Sequence, residues 1–207
     1  PKTNREDSLN SSTDHVGILL INLGTPDAPT PDAVRRYLRE FLSDRRVVDL
    51  NRALWLPILY LFILPRRPRV VSKAYAKIWT PEGSPLLAVT MKQAAALEAL
   101  LASEKGPDDD TPAAPVPVRA GMVYGNPSIL SALRELRDLG CTRVVALALY
   151  PQYASPTVGS AADVIDKAHA TDPTLPPTTM VEPYYDNAAY IDALATSVQQ
   201  FWASHGP

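Results

Sequence analysis

The most constraining feature of this chain is that short apolar runs alternate with amphipathic, helix-like patterns. Residues 16–22 (VGILLIN) form a nearly continuous apolar run that Gly24-Thr25-Pro26 ends, which is typical of a strand buried on both faces. Strands are also predicted at residues 118–124, 143–149 and 178–181. Because helical patterns separate these runs, the crossovers are right-handed and the strands parallel. The sequence therefore predicts an α/β fold, a doubly wound parallel four-stranded sheet flanked by helices.

Three of the predicted helices begin at a hydroxyl or amide residue that is followed by proline, at Thr30, Ser84 and Asn126. A side-chain oxygen at such a position accepts a hydrogen bond from the first turn, and proline fits the first helical position. Apolar residues at helical spacing follow each of these starts. The predicted helices cover residues 30–43, 84–106, 126–140, 159–170 and 186–204.

Charge and cysteine content exclude several classes of protein. The 207 residues include 20 basic and 22 acidic side chains, and a net charge of −2 gives no basic surface for a nucleic acid backbone. Cys141 is the single cysteine, so an internal disulfide is excluded, and we expect neither an iron–sulfur cluster nor another metal site in this chain. These features predict a cytoplasmic protein without a nucleic acid partner.

Two polar segments and one apolar segment lie outside these elements. Residues 1–14 are predicted to form a disordered tail, and residues 106–117 (GPDDDTPAAPVP) a surface loop. Residues 53–65 (ALWLPILYLFILP) are strongly apolar but contain a proline. A membrane span needs about 20 apolar residues, so this segment is too short to cross a bilayer.

Ligands of doubly wound folds bind beyond the carboxyl ends of the strands. The loops in that position, residues 22–26, 124–127 and 150–160, share tyrosine, amide and hydroxyl groups and lack a glycine pattern for binding phosphate. Such a lining suits a flat aromatic ligand with a few polar edges. The alternative is that these residues only form turns and loop rims.

Arg66, Arg67 and Arg69 directly follow the apolar residues 53–65. Guanidinium groups match carboxylates bidentately, so an apolar surface beside them suits an amphipathic carboxylate. The alternative is a buried helix with a solvated basic end. An apolar face rimmed by arginine also suits an anionic interface, and we expect peripheral contact with a membrane surface.

Five segments resemble the motifs of ferrochelatases. They are GILLINLGTP (17–26), FLSDRRVVDL (41–50), YAKIWTPEGSPL (75–86), GMVYGNPS (121–128) and LYPQYASPTVGS (149–160). The resemblance runs from about residue 16 to the last residue. It implies two Rossmann-like lobes with a porphyrin cleft between them, and insertion of ferrous iron into the porphyrin in haem synthesis. On this basis residues 15–185 form the N-terminal lobe, and residues 186–207 form a helix leading into a second lobe.

The resemblance also implies which residues bind the porphyrin. Apolar and aromatic walls are expected from Leu23, Tyr75, Ile78 and Tyr153. Three positions match residues that contact the propionates: Arg66, Arg67 and Ser84. Three others match the metal side or the floor of the cleft: Met122, Tyr124 and Tyr150.

The last of the five motifs departs from the family pattern YPQYSxSTTGS. Ala154, Pro156 and Val158 stand where that pattern has hydroxyl residues, so this loop offers fewer hydrogen bonds. Ser155 stands where some relatives have a cysteine that holds an iron–sulfur cluster, which agrees with the absence of a cluster expected from cysteine content.

The family's catalytic histidine, in a His-Gly-x-Pro motif after a strand, and its partner glutamate are expected outside this chain. Ser204-His205-Gly206-Pro207 follows a helical pattern instead, which predicts a helix end with Gly206 as its cap. His15 and His169 are expected to be surface residues. We therefore expect porphyrin and ferrous iron as substrates of the full-length enzyme, and an inactive isolated chain. The alternatives are a non-catalytic tetrapyrrole-binding module and a related chelatase that acts on another tetrapyrrole.

Overall fold

The computed structural model describes residues 15–103 and 115–206. In these ranges the strands form one parallel sheet with the order β2-β1-β3-β4. The predicted α/β class and all four predicted strands are confirmed. The predicted tail and most of the predicted loop at residues 106–117 lie outside the described residues. The strands are β1 (Val16–Thr25), β2 (Val118–Gly125), β3 (Arg143–Ala148) and β4 (Thr178–Met180).

Helices connect the strands and flank the sheet. Two π-helical turns interrupt the α-helical order: Leu59–Ile63 joins two helices, and Ser155–Gly159 leads into another. The helices are α1 (Pro31–Ser43), α2 (Arg52–Ile58), α3 (Leu64–Ile78), α4 (Pro85–Ser103), α5 (Ile129–Asp138), α6 (Ser160–Thr171) and α7 (Ala188–His205).

The N-caps test the predicted helix starts. Thr30 caps α1 as predicted, because its hydroxyl accepts a hydrogen bond from Ala33 N at 3.4 Å. The predicted start at Asn126-Pro127 is wrong, since Ser128 caps α5 by accepting from Ser131 N at 3.1 Å. The Asn126 amide instead donates to Asp27 Oδ1 at 2.9 Å, so it ties two loops together.

Different helices cover the two faces of the sheet, as a doubly wound fold requires. Helices α1, α5 and α6 lie on one face, where Leu19, Ile21 and Leu133 are fully buried. Helix α4 covers the other face, where Leu20 packs with Ala94. Each such leucine contributes about 1.5–3 kcal/mol to stability by leaving water. Strand β1 has both faces covered and therefore lies at the centre of the lobe.

Helix α4 is the one helix of the described ranges with the length and mean hydropathy of a membrane span. Its Thr90 and Ala94 are buried, and Leu97 and Leu101 pack against the sheet. These contacts make α4 a layer of the lobe.

Helix α7 confirms the predicted helix at the end of the chain. His205 is its last residue, Gly206 is its C-cap, and the His205 ring stacks on Phe201 with 4.3 Å between ring centroids. The histidine therefore follows a helix, not a strand. None of the residues of α7 is buried.

A close approach at the end of β1 requires glycine. Gly24 has φ +107°, and a Cβ there would lie 1.8 Å from the carbonyl oxygen of Tyr124. Positive φ alone costs an L-residue about 1–3 kcal/mol, and the collision adds to it. Gly83 has a similar φ of +101° with no atom within 4 Å of its added Cβ.

We predict that Gly24→Ala lowers the free energy of unfolding by about 3 kcal/mol or more, and that Gly83→Ala lowers it by about 1–2 kcal/mol. Urea denaturation followed by circular dichroism measures both. Equal losses would show that backbone strain alone, and not the collision with Tyr124, sets the loss at Gly24.

Candidate functional site

The loops that follow β1 and β3 meet at the carboxyl edge of the sheet. Tyr150 begins the loop after β3, and its hydroxyl accepts a hydrogen bond from Leu23 N at 2.9 Å. Two residues that the sequence assigned to separate loops are thus in direct contact. In the register between β1 and β2, Asn22 is opposite Met122, and Gly24 is opposite Tyr124, so four predicted site residues lie at or beside the end of β1.

The contact between Leu23 and Tyr150 arises because β1 is longer than β3. The last backbone bond between the two strands' ends runs from Leu149 N to Ile21 O at 2.8 Å. Beyond that point no strand of the described ranges offers an acceptor to Leu23 N. The Leu23 amide donates instead to the hydroxyl of Tyr150 and to Asn22 Oδ1, the latter at 2.9 Å. Side chains thereby satisfy a main-chain donor that the sheet leaves open.

Asp44, just after α1, is a second point at which distant segments meet. Its Oδ2 accepts hydrogen bonds from the hydroxyls of Tyr124, at 2.6 Å, and Ser160, at 2.8 Å. Its Oδ1 accepts from Arg46 N at 2.7 Å. Burial, followed by the hydrogen bond to Asp44, raises the pKa of Tyr124. Burial, together with the neighbouring carboxylate, therefore keeps the Tyr124 phenol in its neutral form.

Sequence reasoning missed Asp44 and Ser160 as parts of this arrangement. Asp44 belongs to the quoted motif FLSDRRVVDL, and Ser160 ends the motif LYPQYASPTVGS. One hydrogen bond joins these two motifs, and this contact exists only in the tertiary structure. The only signal in the sequence is that both residues lie inside motifs.

Tyr37 of α1 was also missed, because helical spacing accounts for it as a core residue. It is buried, and burial, with Tyr75 and Tyr150 nearby, raises its pKa. Its ring stacks on Phe41 with centroids 5.9 Å apart, and Phe41 meets the ring of Tyr124 edge-on at 5.3 Å. An aromatic layer thus runs from α1 to the predicted site residue Tyr124.

The predicted porphyrin-binding residues differ in their exposure. Leu23, Tyr75 and Tyr150 are half-buried. Four are exposed to solvent: Arg66, Arg67, Ile78 and Tyr153. Three are buried, each less than 5% exposed: Ser84, Met122 and Tyr124. In this conformation the exposed and half-buried members offer surface to a ligand, and the three buried members offer almost none.

The apolar residues 53–65 form an amphipathic helical segment. Leu59 and Leu64 are buried, whereas Leu54, Leu61 and Phe62 are each about 60% exposed. Of the alternative, a buried helix with a solvated basic end, the burial is therefore wrong, because one face of the helix points to solvent. The arginines that follow extend this exposed surface along α3.

The described ranges contain no group of three or more histidine, cysteine, aspartate or glutamate side chains placed to hold a metal ion. His15 lies at the start of β1, where its backbone N donates to Thr142 Oγ1 at 3.1 Å. The ring nitrogens of His169 lie 3.0 Å from the carbonyl oxygens of Ile165 and Pro176. Both histidines thus have local structural partners.

Comparison with known proteins agrees with this geometry. A sequence model of the family named Ferrochelatase matches residues 15–207. The chain is 45% identical over 190 residues to the ferrochelatase of Aliivibrio fischeri, covering 92% of this chain and 55% of that protein. It is 46% identical over 200 residues to the ferrochelatase of Thioalkalivibrio sulfidiphilus, covering 97% of this chain and 52% of that protein. The chain spans about half the length of these curated relatives, and it belongs to the ferrochelatase family.

Proposed function

We propose that this chain is the porphyrin-binding N-terminal part of an enzyme that inserts ferrous iron into a porphyrin during haem synthesis. In this proposal residues 15–185 form the lobe, and residues 186–207 lead into a second lobe. The observation that carries it is the match of residues 15–207 to the ferrochelatase family. The contact of Leu23 with Tyr150 supports it, because it joins two family motifs at the edge where α/β folds bind ligands.

In metallation, one ferrous ion replaces two pyrrole protons, so the enzyme must bind the ring, expose its nitrogen lone pairs and accept two protons. A group that accepts protons at neutral pH must be substantially unprotonated at that pH. Burial raises the pKa values of Tyr37, Tyr124 and Tyr150, so these phenols stay protonated and make poor bases. We assign binding and orientation of the ring to this chain and proton acceptance to residues outside it.

The walls proposed for the ring are Leu23, Tyr75, Ile78 and Tyr153, and the propionates are assigned to Arg66, Arg67 and Ser84. Within the described ranges neither Arg66 nor Arg67 pairs with a carboxylate, and both lie exposed on α3. Unpaired guanidinium groups are free to bind a ligand carboxylate without first breaking an internal ion pair. Met122, Tyr124 and Tyr150 are assigned to the floor of the site, where the half-buried Tyr150 offers surface to the ligand and the buried Met122 and Tyr124 form the layer beneath it.

We also propose a cytoplasmic protein that touches a membrane surface and has no nucleic acid partner. The exposed side chains of Leu54, Leu61 and Phe62 lie on the helical segment that leads to Arg66 and Arg67. Apolar side chains next to cationic ones suit the boundary between lipid headgroups and acyl chains of an anionic bilayer. A membrane-bound enzyme of this kind would receive an apolar macrocycle directly from lipid.

Arg67→Ala is expected to weaken the binding of a dicarboxylate porphyrin by about 1–3 kcal/mol, the usual scale of a charge-assisted hydrogen bond. Binding of the dimethyl ester of that porphyrin should not change. Quenching of porphyrin fluorescence measures both affinities, and Lys73→Ala on the same helix is the matched control. Equal losses for the acid and the ester would show that Arg67 acts through packing.

The 207-residue chain is expected to fold and yet not to insert iron, because the base that accepts the pyrrole protons lies outside it. Zinc or iron insertion into a soluble porphyrin, followed by fluorescence, is the assay, with the ferrochelatase of Aliivibrio fischeri as the active control. Turnover by the chain at about a hundredth of the control rate, lost in His205→Ala, would identify His205 as the base and overturn this assignment.

Liposomes with anionic lipid are expected to carry the chain upward in a flotation gradient at low salt and to release much of it at high salt. Replacing both Leu61 and Phe62 by serine should abolish flotation. Val89→Ser, which changes an equally apolar exposed residue on α4, should leave it intact. A wild-type chain that stays at the bottom at low salt contradicts the membrane proposal.

A further inference from the structure

A continuous chain of hydrogen bonds crosses the carboxyl edge of the sheet. Leu23 N donates to the hydroxyl of Tyr150 at 2.9 Å, and that hydroxyl donates to Asn22 Oδ1 at 3.0 Å. Asn22 Nδ2 donates to Thr90 Oγ1 at 3.0 Å, and Thr90 Oγ1 donates to the carbonyl oxygen of Leu86 at 2.8 Å. These four bonds link the end of β1, the loop after β3 and the first turns of α4. We call them the Asn22 relay.

The direction of every proton in the Asn22 relay is fixed by its two ends. At one end a backbone N–H can only donate, and at the other a backbone carbonyl can only accept. A rotated Asn22 amide would turn its NH₂ group toward Leu23 N–H, which is a donor facing a donor. The amide therefore points its oxygen at Tyr150 and its nitrogen at Thr90, and each hydroxyl has one direction open to it.

The relay decides what Tyr150 can offer a ligand. Its single hydroxyl proton is used on Asn22, and its oxygen already accepts from Leu23. We propose that Asn22 and Thr90 are positioning residues that hold Leu23 of the wall and Tyr150 of the floor in place at the porphyrin site, and that Tyr150 presents its ring surface, not its hydroxyl proton, to the macrocycle. This inference rests on the proposed function.

Thr90 is suited to a positioning role and not to ligand contact. It has 0% exposure, so no ligand in the site reaches it. It is also a buried hydroxyl on α4, a helix long and apolar enough for a membrane span, and burying a hydroxyl without partners is unfavourable. The partners of its hydroxyl are Asn22 and Leu86, so an effect of that hydroxyl on porphyrin binding passes through the Asn22 relay.

Two substitutions of Thr90 separate the relay from packing. Thr90→Val keeps the shape and removes the hydroxyl, whereas Thr90→Ser keeps the hydroxyl and removes a methyl group. Titration of the 207-residue chain with protoporphyrin, followed by fluorescence, should give about tenfold weaker binding for Thr90→Val and a change of less than about twofold for Thr90→Ser. The reverse order would show that Thr90 acts through packing and would overturn the proposal.

A double-mutant cycle tests the part played by the Tyr150 hydroxyl. If that hydroxyl acts only through the relay, Tyr150→Phe and Thr90→Val interrupt the same chain, and the double variant binds about as weakly as the weaker single variant. If the hydroxyl donates to the porphyrin, the two losses of affinity multiply. Multiplication would overturn the assignment of Tyr150 as a ring surface.

A measurement without ligand keeps this inference separate from the proposed function. Hydrogen exchange of the Leu23 amide, followed by NMR, should be about tenfold faster in Thr90→Val than in the wild type and unchanged in Thr90→Ser. Unchanged exchange in both variants would overturn the positioning role. A wild-type chain that binds no porphyrin would contradict the proposed function, and the exchange of Leu23 would still decide whether Thr90 positions β1.

Discussion

Strand β1 is the element on which the rest of the lobe depends. It pairs with β2 on one edge and β3 on the other, and its Leu19 and Ile21 are fully buried. Its carboxyl end runs past the last residue of β3, so its main-chain groups there require partners from side chains. Asn22 and Tyr150 supply them. The candidate site thus forms where the central strand extends beyond its neighbour.

The order of the strands and of five of the seven α-helices in the described ranges was predictable because each signal is local, whereas α2 and α3 were not among the predicted helices. A continuous apolar run indicates a strand with both faces covered, and Thr30 before Pro31 indicates a helix start. Both signals depend only on residues that are neighbours in the chain. Asn126 shows where such signals fail. An amide before a proline is equally suited to cap a helix or to bind a distant carboxylate, and Asp27 decides in favour of the latter.

The site was predictable only as a set of motifs. Resemblance named Tyr124 and Tyr150, but the partners of their hydroxyls, Asp44 and Asn22, are 80 and 128 residues away in the chain. No periodicity links residues at such separations, so Tyr37 and Asp44 carried no signal beyond helix spacing and motif membership. The carboxylate and the amide hold the phenols in place, and the family motifs therefore encode support for the aromatic groups as well as the groups themselves.

Helix α7 differs from the other helices of ten or more residues in what stabilises it. None of its 18 residues is buried, and apolar side chains such as Leu194 and Phe201 are about half exposed. Its local support is the Asn187 cap, which accepts from Tyr190 N at 3.2 Å, and the edge contact of the Tyr190 ring with Tyr184 at 5.4 Å. Most of a helix's stability in a protein comes from tertiary packing of its apolar face, and α7 buries none of its residues. Its helical population is consequently set by the helix–coil equilibrium of its own sequence, and any surface that covers its apolar side chains shifts that equilibrium toward helix.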